Sequence, residues 1–325
     1  MVDLLKDLSL TTGVSGSEEK IREFIKSKVK TKVDEVYQDS LGNLICVKKG
    51  KGEKVMLAAH MDEIGLIATF VDDNGFIRFS NIGGVSAFYS LGQRVLFENG
   101  AFGTISYDGD LEEMKNLKLS KMYIDIGEGS KEDVLKKIKI GEKACFYSEP
   151  KAQGDVFIAK AMDDRCGCAV LIDVLEKLKD TDKELYFVFT VQEEVGLRGA
   201  KTSAYGLMPD IAIAVDVTLV GDTPKAKPMD VSLGKGPAIK IKDNSVLCHK
   251  DVVSRLVKTC EKSKIPYQSE ILEAGGTDIG AIHLTGGGIP SGGVSIPSRY
   301  VHSPNEMVNL KDLEMSVNLL VEFLA

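Results

Sequence analysis

Predominantly apolar runs recur at residues 54–59, 156–160, 185–191 and 211–217, and each carries or leads into acids or an imidazole. Runs of this length without polar alternation are the pattern of strands buried on both faces. Helical spacing separates them. Ile21, Phe24, Ile25 and Val29 fall on one face of a helix expected over 17–31, and Ala169, Val170, Ile172, Val174, Leu175 and Leu178 on one face of a helix that begins after residue 166. Further helices are predicted over 3–9 and 249–263, and a closing one carries Leu310, Leu313, Val317, Leu320, Val321 and Leu324. Ser17 and Asn309 stand where N-caps of the second and the closing helix belong, and Glu18 and Glu19 suit a first turn. Strands are also expected within 33–47, around a turn at 39–43, and at 238–241 and 267–272. Strands alternating with helices predict an α/β sheet, and such sheets bind ligands at the carboxyl ends of their strands.

The texture changes between residues 66 and 155. Short β-like pieces at 75–79, 93–97, 102–106 and 144–147 are divided by Gly and Asn turns, with short helical or irregular pieces over 111–122 and 131–138. This segment reads as a small β-rich insert in an α/β domain formed by 1–65 and 156–325. Gly83-Gly84 reads as a turn more readily than a phosphate cradle, and no GxGxxG follows a strand here, so a dinucleotide site has little support.

The candidate chemistry sits where the apolar runs stop. Run 185–191 ends in Glu193, Glu194 and Gly196; adjacent side chains on extended backbone point apart, so one acid can hold a cation while the other faces a water or substrate. Run 54–59 ends in His60-x-Asp62, which puts an imidazole and a carboxylate on one side of a strand, the pairing a ligating histidine uses to fix its geometry. Asp163-Asp164 marks a strand-to-helix junction, Asp216 ends run 211–217, and His302 lies in a loop at 296–304 stiffened by Pro297 and Pro304. Taken singly, the glutamates make a solvated turn, one aspartate an N-cap and His60 a structural histidine. Together, imidazoles and several carboxylates suit Zn, Co or Mn and are too nitrogen-rich for a dedicated Ca or Mg cage. Hydrolysis is the chemistry such a set performs, with one carboxylate left outside the metals as base. No GxSxG elbow and no cysteine-centred signature competes with it.

Composition narrows the picture. With 325 residues, 43% hydrophobic and 27% charged, the chain is long enough for one large domain or two with a substantial core. The net charge of −7, without a long basic run, gives no support for nucleic acid or an anionic membrane as partner. Acids near the N-terminus where a signal peptide is basic, and no uncharged stretch approaching ~18 residues, lead to a cytoplasmic expectation. The six cysteines lack paired CxxC spacing and most are expected as buried thiols, Cys166 and Cys168 included.

His60-x-Asp62, Asp163-Asp164-Arg165-x-Gly167, Glu193-Glu194-x-Gly196, Asp216-x-Thr218 and Pro297-x-Arg299-Tyr300-x-His302-Ser303-Pro304, in this order, resemble peptidase family forty-two, the TET, glutamyl and deblocking aminopeptidases. The likeness covers nearly the whole chain. It implies a three-layer α/β/α catalytic domain with a mixed sheet over 1–65 and 156–325, interrupted by a PDZ-like oligomerisation domain over 66–155. It implies two divalent ions, Zn or Co, with Mn as a further option. Asp163 would bridge them, His60 and Asp216 would complete one, and Glu194 and His302 the other; Glu193 would be the general base and Asp62 its support. The implied function is removal of N-terminal residues from peptides by a homo-oligomer, typically a tetrahedral dodecamer, and the Gly275–Gly280 loop is a candidate wall of the pocket. Some members carry the names endoglucanase or cellulase, so a glycoside hydrolase is the alternative enzyme, and a non-enzymatic peptide-binding module the alternative that leaves the acids and imidazoles idle.

Overall fold

A computed structural model describes residues 1–110 and 112–325. Its core is a mixed sheet of eleven strands among the described residues. The strands Glu184–Thr190, Lys54–His60, Ile211–Thr218 and Ser291–Arg299 lie side by side, all parallel. Antiparallel strands flank them: Leu44–Lys48 and Glu35–Gln38 on one side, Glu306–Asn309, Val156–Ala159 and Lys151–Gln153 on the other. Ala238–Lys242 branches from Ser291–Arg299 and carries Gln268–Ile271 beside it.

Alternation along the parallel strands explains why Glu184–Thr190, Lys54–His60 and Ile211–Thr218 are largely apolar. Val55, Leu57 and Ala59, with Leu185, Phe187 and Phe189, pack in the cluster that takes in the helices Met162–Lys177 and Leu310–Leu324. Met56, Ala58, Tyr186 and Val188 point the other way, against Ala200 and Ala204 of the helix Arg198–Leu207 and Ile282 of the short helix Ile279–Ile282. Each strand thus feeds two cores, and a polar side chain on either face would be buried without a partner. Met162–Lys177 packs against the sheet and against Leu310–Leu324, which itself meets the sheet, and its core-facing positions include Cys166 and Cys168. Asn309 caps the closing helix by accepting from the Lys311 amide at 2.9 Å. Ser17 does not cap the second helix, Glu19–Val29; its hydroxyl accepts instead from the Lys143 ammonium at 2.7 Å.

The expected loop at 296–304 is strand as far as Arg299. Pro297 sits where this strand changes neighbours, pairing last with Thr218 before Ser298 pairs with Val308. A residue that lacks the N–H is tolerated where the ladder is interrupted.

Six strands close a barrel: Gly65–Val71, Ile77–Ile82, Arg94–Phe97, Phe102–Tyr107, Met122–Asp125 and Lys143–Phe146. It has its own core, which includes Leu66, Ile77, Val95, Ile124 and Phe146, and which receives Val134 from the helix Lys131–Lys137. Of the irregular piece expected over 111–122, Leu111 lies outside the described residues, while Glu113–Asn116 and Leu119–Lys121 are short 3-10 turns. Among the described residues no helix is long and apolar enough to cross a membrane.

Candidate active site

Register brings the strand ends together. Thr190 lies opposite His60 and Ala214 opposite Ala58, so His60, Asp216 and the Glu193-Glu194 pair emerge along one edge of the sheet. Asp163, in the first turn of Met162–Lys177, and His302, just past Ser291–Arg299, complete that edge. Ala161, Gln192 and His302 all hold positive φ, at 56°, 55° and 63°. Left-handed backbone is uncommon for residues with a Cβ and clusters where a structure must aim particular side chains.

Two clusters form, with Asp163 in both. Asp163 Oδ1 lies 2.9 Å from His60 Nε2, and Asp163 Oδ2 lies 3.3 Å from His302 Nε2. On the His60 side, Asp216 Oδ1 is 3.9 Å from the same imidazole nitrogen; on the other, Glu194 Oε2 is 3.2 Å from His302 Nε2. Donor atoms of His60, Asp163 and Asp216, and likewise of Asp163, Glu194 and His302, fall within 4.8 Å of one another. Glu193 Oε2 stands 3.9 Å from His60 Nε2 and faces the cavity.

Neighbouring groups fix these side chains. Asp62, fully buried, has Oδ1 3.5 Å from His60 Nδ1, accepts the Glu193 and Glu194 amides at 3.0 and 3.3 Å, and takes the Ser15 hydroxyl at 2.6 Å. It therefore ties His60 to the two glutamates. Asp164, joined to Asp163 by a cis peptide, accepts the His60 amide at 3.1 Å and the Gly167 amide at 3.0 Å. A Cβ at Gly167 would fall 2.3 Å from that carboxylate, which is why the helix carries glycine there. Glu306 does not stand out in the sequence, yet its carboxylate accepts the Asp163 amide at 2.9 Å and the His302 amide at 2.7 Å. The barrel contributes too: the Gly84 carbonyl lies 3.0 Å from His302 Nδ1, so an Nδ1–H can donate to it and leave Nε2 free toward the acids.

Burial dominates the electrostatics. It pushes the Glu193, Asp216 and Asp164 carboxyls well above the usual range and raises Glu194 as well. Glu306 is raised to about 8, by burial and then by the charge of Asp163. Burial acts to raise Asp163 also, but the hydrogen bonds with His302 and His60 outweigh it and hold that carboxyl well below its ordinary value. Burial would lower both imidazoles; the acids around them prevail, lifting His60 well above 6.5 and His302 to about 12. A concentration of buried carboxylates that draws protons onto both imidazoles is an environment calling for positive charge.

Divalent cations fit that demand. Both imidazole Nε2 atoms converge on the Asp163 oxygens, and Glu194 Oε1 is buried without a hydrogen-bond partner among the described residues. The residues open onto a cavity of about 610 Å³, whose walls include Gly196, Asn244, Ser245, Gly275 and Gly276. The glycine loop expected as a wall lies there. Asp278, at the end of that loop, holds the Thr190 hydroxyl at 2.6 Å, and burial raises its carboxyl to about 6.

Buried acid–imidazole clusters beside a free carboxylate, at the carboxyl edge of an α/β sheet, define a hydrolase centre. The family profile described as M42 glutamyl aminopeptidase matches residues 42–319, so the chain belongs to that family and is a peptidase. It is 59% identical to a putative aminopeptidase of Acetivibrio thermocellus, across 99% of this chain and 98% of that protein. Among solved structures it is similar to an aminopeptidase of the archaeon Desulfurococcus kamchatkensis, with a TM-score of 0.96 at 40% identity over 99% of this chain and 94% of the other. It is also similar to the Pyrococcus horikoshii TET1 peptidase, which can assemble into a tetrahedron or a large octahedral shell, with a TM-score of 0.89 at 34% identity over 99% and 98% of the two chains.

Proposed function

We propose that the chain is a two-metal aminopeptidase that removes N-terminal residues from peptides, one subunit of a large homo-oligomer working in the cytoplasm. The observation that carries this reading is Asp163, with one oxygen at each imidazole. In this reading His60, Asp163 and Asp216 hold one divalent ion, and Asp163, Glu194 and His302 the second. Zn or Co suits the mixed nitrogen and oxygen donors, with Mn as a further option. When bound, such ions supply Lewis-acid polarisation and lower the pKa of water.

The chain's own residues do the rest. Glu193, raised by burial and aimed into the cavity, accepts the proton of the attacking water and delivers it to the departing amine. Asp62 holds the Glu193 amide and braces His60, so base and donor set stay in register. Residues 1–65 and 156–325 form a three-layer α/β/α catalytic domain in this reading; 66–155 is a PDZ-like domain that serves assembly. The separate cores of sheet and barrel support that division, and the shells of the TET1 peptidase support the assembly.

A glycosidase sets two carboxylates across a sugar, roughly 5–9.5 Å apart. Here Glu194 and Asp216 each face an imidazole rather than a partner acid across an open cleft, which favours the peptidase. The decisive assay sets a panel of aminoacyl-anilides beside soluble cellulose derivatives, before and after chelation. Amide cleavage that falls on chelation and returns with metal is expected. Sugar release without amide cleavage, or full aminopeptidase activity in verified metal-free protein, would overturn the proposal.

A further inference from the structure

A second hollow of about 530 Å³ adjoins the catalytic cavity. The two share Leu219, Leu272, Ala274 and Val301, so they form one continuous trough that begins beside the reacting residues, Val301 being next to His302. The remaining walls are mainly apolar and include Pro224, Met229, Ile271 and Tyr300. Tyr89, from the short helix Ala87–Ser90 after the barrel's second strand, supplies another wall. Ile271 is 57% exposed, Leu219 45% and Tyr300 44%, an unusual concentration of large apolar surface around one groove. Arg299 also lines it, but its guanidinium is engaged by Asp222 at 2.9 and 2.8 Å and is not a free anchor for a carboxylate. Ser298, fully buried at the groove's wall, has a hydroxyl with no hydrogen-bond partner among the described residues.

We propose that this groove binds the part of the substrate that leaves, the peptide C-terminal to the scissile bond, and selects apolar side chains at the substrate's second and third residues. The proposal rests on the aminopeptidase reading. An exopeptidase of that kind has one residue on the N-terminal side of the bond, and the catalytic cavity of about 610 Å³ has room for that residue and the scissile amide. Only the leaving chain has further residues to fill a hollow of similar size. Apolar walls reward apolar side chains by removing both surfaces from water.

The experiment holds the N-terminal residue constant at the one cleaved fastest and varies the second and third residues of the substrate. Tripeptides with Leu at positions two and three are compared with tripeptides carrying Gly there, and both with the corresponding aminoacyl-amide, whose leaving group is ammonia. The expected preference for Leu over Gly is about tenfold in kcat/KM, the discrimination that one or two apolar contacts provide. Ile271→Asp and Tyr89→Ala should abolish that preference, raising KM for the Leu tripeptide about tenfold more than for the aminoacyl-amide. Equal losses on tripeptide and amide would put the N-terminal side chain in the groove and overturn the proposal, as would a wild-type enzyme indifferent to positions two and three. Failure to cleave any amide or peptide would instead overturn the aminopeptidase reading and the proposal with it.

Discussion

Glu193 and Glu194 share a backbone and a carboxyl edge but face different neighbours, His60 for the first and His302 for the second. Glu193→Gln should therefore keep metal content near wild type and lose turnover by ~10²–10⁴, the usual worth of a general base. Glu194→Gln should lose metal. Metal analysis of both variants beside turnover checks the division, and equal metal loss in the two would show it to be wrong. Glu306 offers a third case. In Glu306→Gln a side-chain NH2 faces one of the two amides that the carboxylate accepts, Asp163 or His302, so metal retention should weaken by about 10–100-fold, measured by titration with a competing chelator. The ligand-type residues are legible in the sequence because each ends an apolar run or stands between prolines. Glu306 carries no such signal: it lies in a short polar stretch, and its role arises only from the fold bringing residues 163 and 302 together.

At the scale of elements, long apolar runs such as Lys54–His60 and Ile211–Thr218 are readable because burial on both faces leaves no other composition. Ser291–Arg299 reads partly as loop, since small residues and Pro297 mimic one, and Glu306–Asn309 is too short and polar to stand out. The Gly83-Gly84 turn is likewise bland in sequence. A Cβ at Gly84 would stand 2.5 Å from His302 Nδ1, whereas one at Gly129 would meet open space. Gly84→Ala should thus cost at least about tenfold in turnover through displacement of an oriented imidazole, with Gly129→Ala as the silent control. In the closing helix, Asp312 accepts the Gly234 and Gly236 amides at 2.7 Å each, yet burial outweighs them and raises its carboxyl from 3.8 to about 6. The folded form then holds this proton more tightly than the unfolded one. The associated stability is present below about pH 4 and lost as pH rises through about 6. Relative to Asp312→Asn, wild type should lose unfolding free energy across that window and run parallel above it, as denaturant titrations at successive pH values will read.

For the whole molecule, the barrel has a double position. Its core is its own, but it reaches the centre through Gly84 and the adjoining groove through Tyr89. If the proposed assembly is built through the barrels, a change in how they meet should reach His302. Light scattering at micromolar concentration should find a large homo-oligomer, and a monomer there would contradict the proposed assembly. Dissociating conditions that leave the fold intact should also weaken metal retention, because the Gly84 carbonyl is the barrel's hold on that imidazole.

The two clusters draw on residues as far apart as 60 and 302, joined by parallel strands that pair only after long stretches of chain have been placed. Such long-range parallel pairing is intrinsically slow to form. A chain still emerging during synthesis can offer His60, Asp163 and Asp216 but has no His302, and a finished one lacks a closed centre until Ser291–Arg299 docks beside Ile211–Thr218. Peptide-cutting capacity thus waits on the pairing of the strands that bring both clusters together.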